Sequence, residues 1–259
     1  MKVMSWNVNS VRVRKDRLLA LLERHQPDVL CLQELKTQDP GFPFDAVRSA
    51  GYHAVTHGQK TYNGVALLTR IEGSDVRRGL GDEVEDPQAR LIAATVLGVK
   101  IVNVYVPNGG ELGSEKWAYK QAFYARLRAF LGEYSKPSEP LVLCGDFNVA
   151  TDERDVNVKH LDEWRNSVLF SDEARALLLG VVGFGLVDTF RQHTVEGEHF
   201  SWWDYRAGGF PRNNGLRIDY VFATSGLAST CTAAGIDREE RKGEGPSDHA
   251  PVWAEFNSR

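Results

Sequence analysis

Cysteine is scarce in this chain. There are three, Cys31, Cys144 and Cys231, an odd number at spacings that match no zinc motif. A disulfide framework and a structural zinc site are both excluded. Cys31 and Cys144 lie inside apolar runs, where a cysteine acts as a small core residue in a reducing setting. A strong charge bias is also missing. Lys plus Arg number 31 against 35 Asp plus Glu, for a net charge of −4, so the whole-molecule field is not basic and any nucleic-acid surface has to be local. Three basic clusters could supply one: Arg12, Arg14, Lys15 and Arg17; Arg77 and Arg78; Arg206, Arg212 and Arg217. For any one of them alone, solvated surface is the favoured reading. No apolar run approaches a membrane span, and no apolar h-region or cleavage signature follows Lys2, so no membrane contact and a cytoplasmic location are expected. No linker, low-complexity tract or internal repeat interrupts the sequence. With 259 residues at 42% hydrophobic, the chain is expected to form a single domain over 1–259, and a monomer.

What is present is an alternation of short apolar runs and amphipathic stretches. Lys2 to Trp6, Asp28 to Leu32, Gly64 to Thr69, Arg90 to Val96, Lys100 to Val106 and Leu141 to Leu143 read as strands, and Gly98 predicts a hairpin. Phe200 to Tyr205, Leu216 to Ala223 and Val252 to Phe256 read as further strands. Helices are expected from Lys15 to Arg24, from Glu115 to Tyr134, and from Ser171 to Leu179, the last capped by Ser171. The stretch from Asn148 to Asn166 reads as loop and short helix. Hairpin-linked strands make a purely parallel sheet a poor fit. The class predicted is α/β, a sandwich of two mixed β-sheets packed face to face with helices outside.

The polar residues concentrate at the ends of the apolar runs. Ser5-Trp6-Asn7, Leu32-Gln33-Glu34, Gly145-Asp146-Phe147-Asn148, Arg217-Ile218-Asp219-Tyr220 and Ser247-Asp248-His249 all have this form. Neighbouring strand ends converge in space, and the side chains gathered there could hold a divalent metal and hydrolyse a phosphate ester. Glu34 comes two residues after the end of the run Val29-Leu30-Cys31-Leu32, where a carboxylate needs a positive partner such as Mg²⁺. Asn7 is ambiguous with a turn residue. Asp146 and Asn148 lie two apart, so an extended backbone would face them the same way, though an Asx-turn fits the same residues. Asp248 and His249 would point to opposite faces, so another carboxylate must fix the imidazole tautomer. Asp219 is the candidate.

These motifs, in this order, resemble the exonuclease III family of DNA-repair nucleases, within the endonuclease/exonuclease/phosphatase superfamily. The resemblance runs end to end and includes Gln26-Pro27-Asp28-Val29, Gly58-Gln59-Lys60, Phe200-Ser201-Trp202-Trp203-Asp204-Tyr205-Arg206 and Gly215-Leu216-Arg217-Ile218-Asp219. It implies a four-layered α/β sandwich with the site at one edge. It also implies double-stranded DNA, abasic or with 3′ ends, as the partner, and Mg²⁺, with Mn²⁺ as an alternative, as the cofactor. By the same resemblance Glu34, with Asn7 and Asp248, would hold the metal. Asp146 and Asn148 would position water and phosphate, Asp219 and His249 would form a carboxylate–imidazole pair, and Tyr105 would contact the scissile phosphate. Trp202, Leu216 and Ile218 would form an apolar pocket for a base-free deoxyribose. Arg12 and Arg90 would lie near the DNA backbone, with Asn108 among the substrate contacts. Two departures stand out. Glu111 follows Asn108-Gly109-Gly110 where some relatives carry an arginine, and a bulky Leu169 near the pocket would weaken abasic-site activity.

The implied activities are abasic-site incision, 3′→5′ exonuclease action and 3′-phosphate removal, all of which break a bond between phosphorus and a 3′ oxygen. The residues leave open whether Asp146 or His249 is the general base. Three other readings stay open: an exonuclease with weak abasic-site activity, a small-molecule phosphodiesterase on the same scaffold, and a DNA-binding module without catalysis.

Overall fold

The computed structural model describes residues 1–257. The strands in chain order are β1 (Lys2–Asn7), β2 (Val29–Gln33), β3 (His53–His57), β4 (Val65–Thr69), β5 (Ser74–Arg78) and β6 (Leu91–Val96). They continue as β7 (Val99–Tyr105), β8 (Leu141–Asp146), β9 (Leu186–Asp188), β10 (Asp219–Thr224), β11 (Cys231–Ile236) and β12 (Val252–Phe256). The helices are α1 (Lys15–His25), α2 (Phe44–Ser49), α3 (Glu115–Tyr134), α4 (Leu161–Arg165), α5 (Asp172–Val182), α6 (Thr189–His193) and α7 (Ser225–Ala228).

Two six-stranded sheets result, in the orders β11-β12-β1-β2-β4-β3 and β5-β6-β7-β8-β10-β9. Each is mixed: β1 runs parallel to β2 and β7 parallel to β8, while the other pairs are antiparallel. Alternation along each strand assigns its two faces. Val3, Val29, Cys31, Val65 and Leu67 meet Ile92, Ala94, Ile101, Val142, Cys144 and Val221 between the sheets. Met4, Trp6, Leu30 and Leu32 turn outward against Leu18, Leu21 and Leu22 of α1. Leu143 and Phe147 turn outward against Phe123, Tyr124 and Leu127 of α3 and Leu178 of α5. The order helix, sheet, sheet, helix gives four layers, as expected. Both faces of the central strands are covered, which is why they read as unbroken apolar runs.

The sequence expectations fail in two segments. Phe200 to Tyr205 is not a strand: only Trp202 forms isolated bridges, to Leu216 and His249. The strand expected from Leu216 begins at Asp219. β3, β5, β9 and β11 were not foreseen. β5 is an exposed, charged edge strand, and β11 is built largely of small residues, so neither carries a hydrophobic alternation.

Register places the polar ends. Tyr105 of β7 and Asp219 of β10 both pair with Asp146 of β8, forming one row across the second sheet. In the first sheet Asn7 pairs with Gln33, one residue before Glu34. The gap between the sheets behind this edge is bridged by Gln33, whose amide donates to Ser5 Oγ (3.0 Å) and Asn103 Oδ1 (2.7 Å).

Candidate active site

At this edge the two sheets meet through side chains. The Asn7 amide nitrogen lies between two carboxylates, 3.0 Å from Glu34 Oε1 and 2.9 Å from Asp146 Oδ2. The Tyr105 hydroxyl donates to Glu34 Oε1 at 2.7 Å. Burial pushes this phenol well above its ordinary pKa, so it stays a donor. Glu34 is held low. Burial opposes its ionisation, but the Asn7 amide, the Lys36 charge and the Tyr105 hydroxyl outweigh it. Lys36, which sequence reasoning overlooked, places Nζ 2.9 Å from Glu34 Oε2. The backbone is strained here. Glu34, Lys36, Asn9, Ser10 and Asn148 all have positive φ, between 45° and 86°. Such non-glycine conformations cost about 1–3 kcal/mol each and persist where surrounding contacts over-determine them. For Glu34 and its neighbours those contacts include Ser10 N–H to Glu34 O (2.8 Å) and Leu35 N–H to Gly64 O (3.1 Å).

Asp146 reaches this position because Gly145 precedes it. A Cβ on Gly145 would stand 1.9 Å from the Val104 carbonyl oxygen, so only glycine lets β8 pass β7. Asp146 and Asn148 do not share a face by extension. Asn148 is left-handed at φ 51°, and its N–H donates to Asp146 Oδ1 at 2.9 Å, which is the Asx-turn geometry. The Asn148 amide then donates to Val106 O (2.9 Å) and accepts from Asn108 Nδ2 (3.2 Å).

His249 Nδ1 lies 2.9 and 3.1 Å from the two oxygens of Asp219, the pairing expected from the opposite orientation of Asp248. Nε2 faces Asp146 Oδ2 at 3.7 Å. Burial alone would lower the imidazole pKa, but Asp219 and Asp146 push it up. Asp146 is pushed up mainly by burial, with Asp219 adding and His249 opposing. Two serines fix the pair. Ser201 Oγ donates to Asp219 Oδ2 (2.6 Å) while accepting from the N–H groups of Ile218 and Asp219. Ser247 Oγ donates to Asn7 O at 2.7 Å and accepts from His249 N–H. Both serines lie in motifs that the sequence singled out, but neither signals its role without the fold. Asp248 stands aside from the row: Oδ1 accepts from Asn9 Nδ2 (2.8 Å) and Oδ2 from Trp202 Nε1 (3.0 Å).

Ligand atoms of Asp146, Asp219 and His249 lie within 4.8 Å of one another, a group able to hold a metal ion. The imidazole could serve as a ligand only in its neutral form, whereas Asp219 and Asp146 favour the charged one.

The sequence profile described as the Endonuclease/Exonuclease/phosphatase family matches residues 4–249. The chain belongs to this family. Exodeoxyribonuclease III of Haemophilus influenzae is 40% identical over 268 residues, covering 99% of this chain and 100% of the relative. A 3′ phosphatase from Neisseria, solved bound to a product DNA hairpin, superposes with a TM-score of 0.96 at 41% identity, covering both chains fully. An AP endonuclease from Archaeoglobus fulgidus gives 0.96 at 36% identity, again over the whole of both chains. This chain is therefore a hydrolase of a nuclease family.

The residues expected to meet substrate divide in the structure. Arg90 stacks on Tyr105, its guanidinium carbon 4.8 Å from the ring centroid, and donates to Tyr105 O and Gln88 Oε1. It supports the tyrosine at the rim of an open cleft of about 480 Å³ that Asn108, Lys116 and Tyr62 also line. Arg12 is exposed between β1 and α1, and Glu111 is exposed before α3. Trp202 is half-buried and packs edge-on against Trp164 at 6.3 Å. Leu216 and Ile218 differ from the expectation: at 0% and 1% exposure they back the wall instead of lining it. Both lie before β10, and their side chains join the apolar cluster covered by α3 and α5. Leu169, at 8% exposure, joins that cluster rather than projecting. No helix among the described residues is long and apolar enough to cross a membrane.

Proposed function

We propose that this protein is a DNA-repair phosphodiesterase acting as a monomer on duplex DNA. It would hydrolyse the bond between phosphorus and a 3′ oxygen, so that 3′-phosphate removal, 3′→5′ exonucleolysis and incision 5′ to abasic sites all leave a 3′-hydroxyl. The observation that carries this reading is the single row of Tyr105, Asp146 and Asp219, closed by His249 and joined through Asn7 to Glu34.

Glu34 would hold Mg²⁺ or Mn²⁺, with Asn7 joining through its amide oxygen, which here accepts from Asn9 N–H, and Asp248 contributing through Asn9; the ion would supply Lewis-acid polarisation of the phosphate. Asp146, its pKa raised by burial, is suited to take a proton from water near neutral pH. The water oxygen attacks phosphorus in line, the bond to the 3′ oxygen breaks, and that oxygen leaves as the hydroxyl after gaining a proton. His249, kept cationic by Asp219 and Asp146, presents Nε2–H to the phosphoryl oxygens as charge builds on them. Tyr105 and the Asn148 amide add neutral donors. Arg12, Arg90 and Asn108 would contact the DNA around the scissile phosphate, and Trp202 would meet the sugar.

A second reading narrows the first. The Trp202 wall is packed against Trp164 and backed by Leu169, Leu216 and Ile218, which favours 3′-end processing over capture of an extruded abasic sugar. One preparation assayed on an abasic duplex, a recessed 3′ end and a 3′-phosphate duplex separates the two. All three substrates should be cleaved with Mg²⁺, the 3′-phosphate fastest. No cleavage of any of them with Mg²⁺ or Mn²⁺ would overturn the assignment.

A further inference from the structure

One buried cation lies beneath the site and has no part in the chemistry above. Lys120, on the inner face of α3, is 0% exposed. Its partners are three carbonyl oxygens and not a carboxylate: Asn108 O at 3.0 Å, Asn148 O at 2.7 Å and Val168 O at 2.7 Å. An ammonium has three N–H donors, and each is used once. The acceptors belong to three separate loops, following β7, following β8 and preceding α5. These loops carry Asn108, Asn148 and the Leu169 segment to the substrate edge. One turn further along α3, Tyr124 donates to Phe147 O at 2.7 Å, so the helix grips the turn after Asp146 at two points.

We infer that Lys120 is a positioning residue for phosphoester hydrolysis, a tripod that sets the three substrate-facing loops in register beneath Asp146 and Asn148. The inference rests on the hydrolytic function proposed above. Neighbouring geometry is fitted to it. Gly109 adopts φ +97°, and a Cβ there would stand 2.8 Å from Lys120 Cδ, so the Asn108 loop closes over the lysine stem only as glycine. The loops then lock to one another at the surface, through Asn108 Nδ2 to Asn148 Oδ1 at 3.2 Å.

A purely mechanical tie between helix and loops would not need a charge. Burial of a cation with no anion in contact is unfavourable, and here burial lowers the lysine pKa to about 7, with Asp146 opposing the drop. The ammonium form that uses all three donors is therefore costly to bury, and it sits under the turn where negative charge develops during phosphoryl transfer. Catalytic geometry is sensitive to displacements of about 1 Å, which cost on the order of 10²-fold in rate.

The test measures kcat and KM for 3′-phosphate removal, per folded molecule, in Lys120→Met, Lys120→Arg and Leu127→Ala. Leu127→Ala opens a cavity in the same helix about two turns beyond Lys120 without removing any hydrogen bond to the loops, and serves as the control for stability alone. Lys120→Met should lower kcat about 10²-fold with KM for DNA within about 3-fold of the parent. Lys120→Arg keeps the charge, but its planar fork cannot reach three carbonyls arranged as a tripod, so kcat should fall about 10-fold. Leu127→Ala should lower the melting temperature and leave kcat unchanged. If Lys120→Met does not fold, Lys120→Arg decides. A kcat within 2-fold of the parent in either folded lysine variant, or a loss in Leu127→Ala equal to theirs, overturns the inference. An inactive parent would overturn the proposed function and this inference with it, whereas an active parent with unaffected lysine variants overturns this inference alone.

Discussion

Replacing Asp219 by asparagine tests the centre of the mechanism. Ser201 Oγ accepts from two backbone N–H groups, so its own proton is committed to Asp219 Oδ2. In Asp219→Asn the amide oxygen must take that place, 2.9 Å from His249 Nδ1, and the amide nitrogen stands in for the oxygen at 3.1 Å. The imidazole then faces a donor and an acceptor together, with no carboxylate charge to hold it cationic or to fix which nitrogen carries the proton. Its charge and its fixed tautomer are both lost. In a comparable carboxylate–histidine pair the same change costs about 10⁴ in kcat, equal to about 5.5 kcal/mol of transition-state stabilisation. Steady-state hydrolysis of a 3′-phosphate duplex should therefore show a fall of about 10⁴ in kcat with little change in KM. The double variant with His249→Ala should be little slower than His249→Ala alone, because residues acting as one unit are not additive. A loss under 10-fold, or losses that multiply fully in the double variant, would refute the pairing as the source of catalytic power.

Chelation should abolish cleavage and Mg²⁺ restore it, with Glu34→Ala needing far more metal for any residual rate; full activity in chelator would remove Glu34 from its role. Trp202→Ala should selectively lose abasic incision while 3′-phosphate removal survives. Equal losses of both, with a lowered melting temperature, would make the indole merely core. Asp237 tests pH-dependent stability: burial disfavours its charge, but His25 at 2.7 Å and Arg24 at 2.6 Å hold its pKa down to about 2. A depressed carboxylate stabilises the fold above its unfolded pKa, and that contribution, on the order of 1–2 kcal/mol for a partly solvated pair, should disappear between about pH 4 and pH 2. Melting curves of Asp237→Asn should be flatter than the parent's over that window, and parallel curves would disprove the linkage.

The central strands and the three long helices were legible because their side-chain periods are local properties. Val29-Leu30-Cys31-Leu32 is apolar on both faces, and Glu115–Tyr134 is a helix over the limits that its pattern predicts. The His249–Asp219 pairing was legible too, since adjacent residues in extended chain cannot face each other. Edge strands such as β5 and β11 were not, because an edge needs no hydrophobic alternation.

The sequence by itself determined which residues could do the chemistry, and the resemblance determined the family. Only the tertiary structure decided how those residues are used. It made Asn148 a left-handed turn instead of a strand residue, sealed Leu216 and Ile218 behind Trp202, and drew Lys36, Ser201 and Lys120 into the site's support. The physical reason is that residue type fixes donors, acceptors and charge, whereas burial and hydrogen-bond partners depend on contacts between segments far apart in the chain. Tyr105, Asp146 and Asp219 form one row because β7 and β10 flank β8 in a particular register, and that register is a property of the packed sheet.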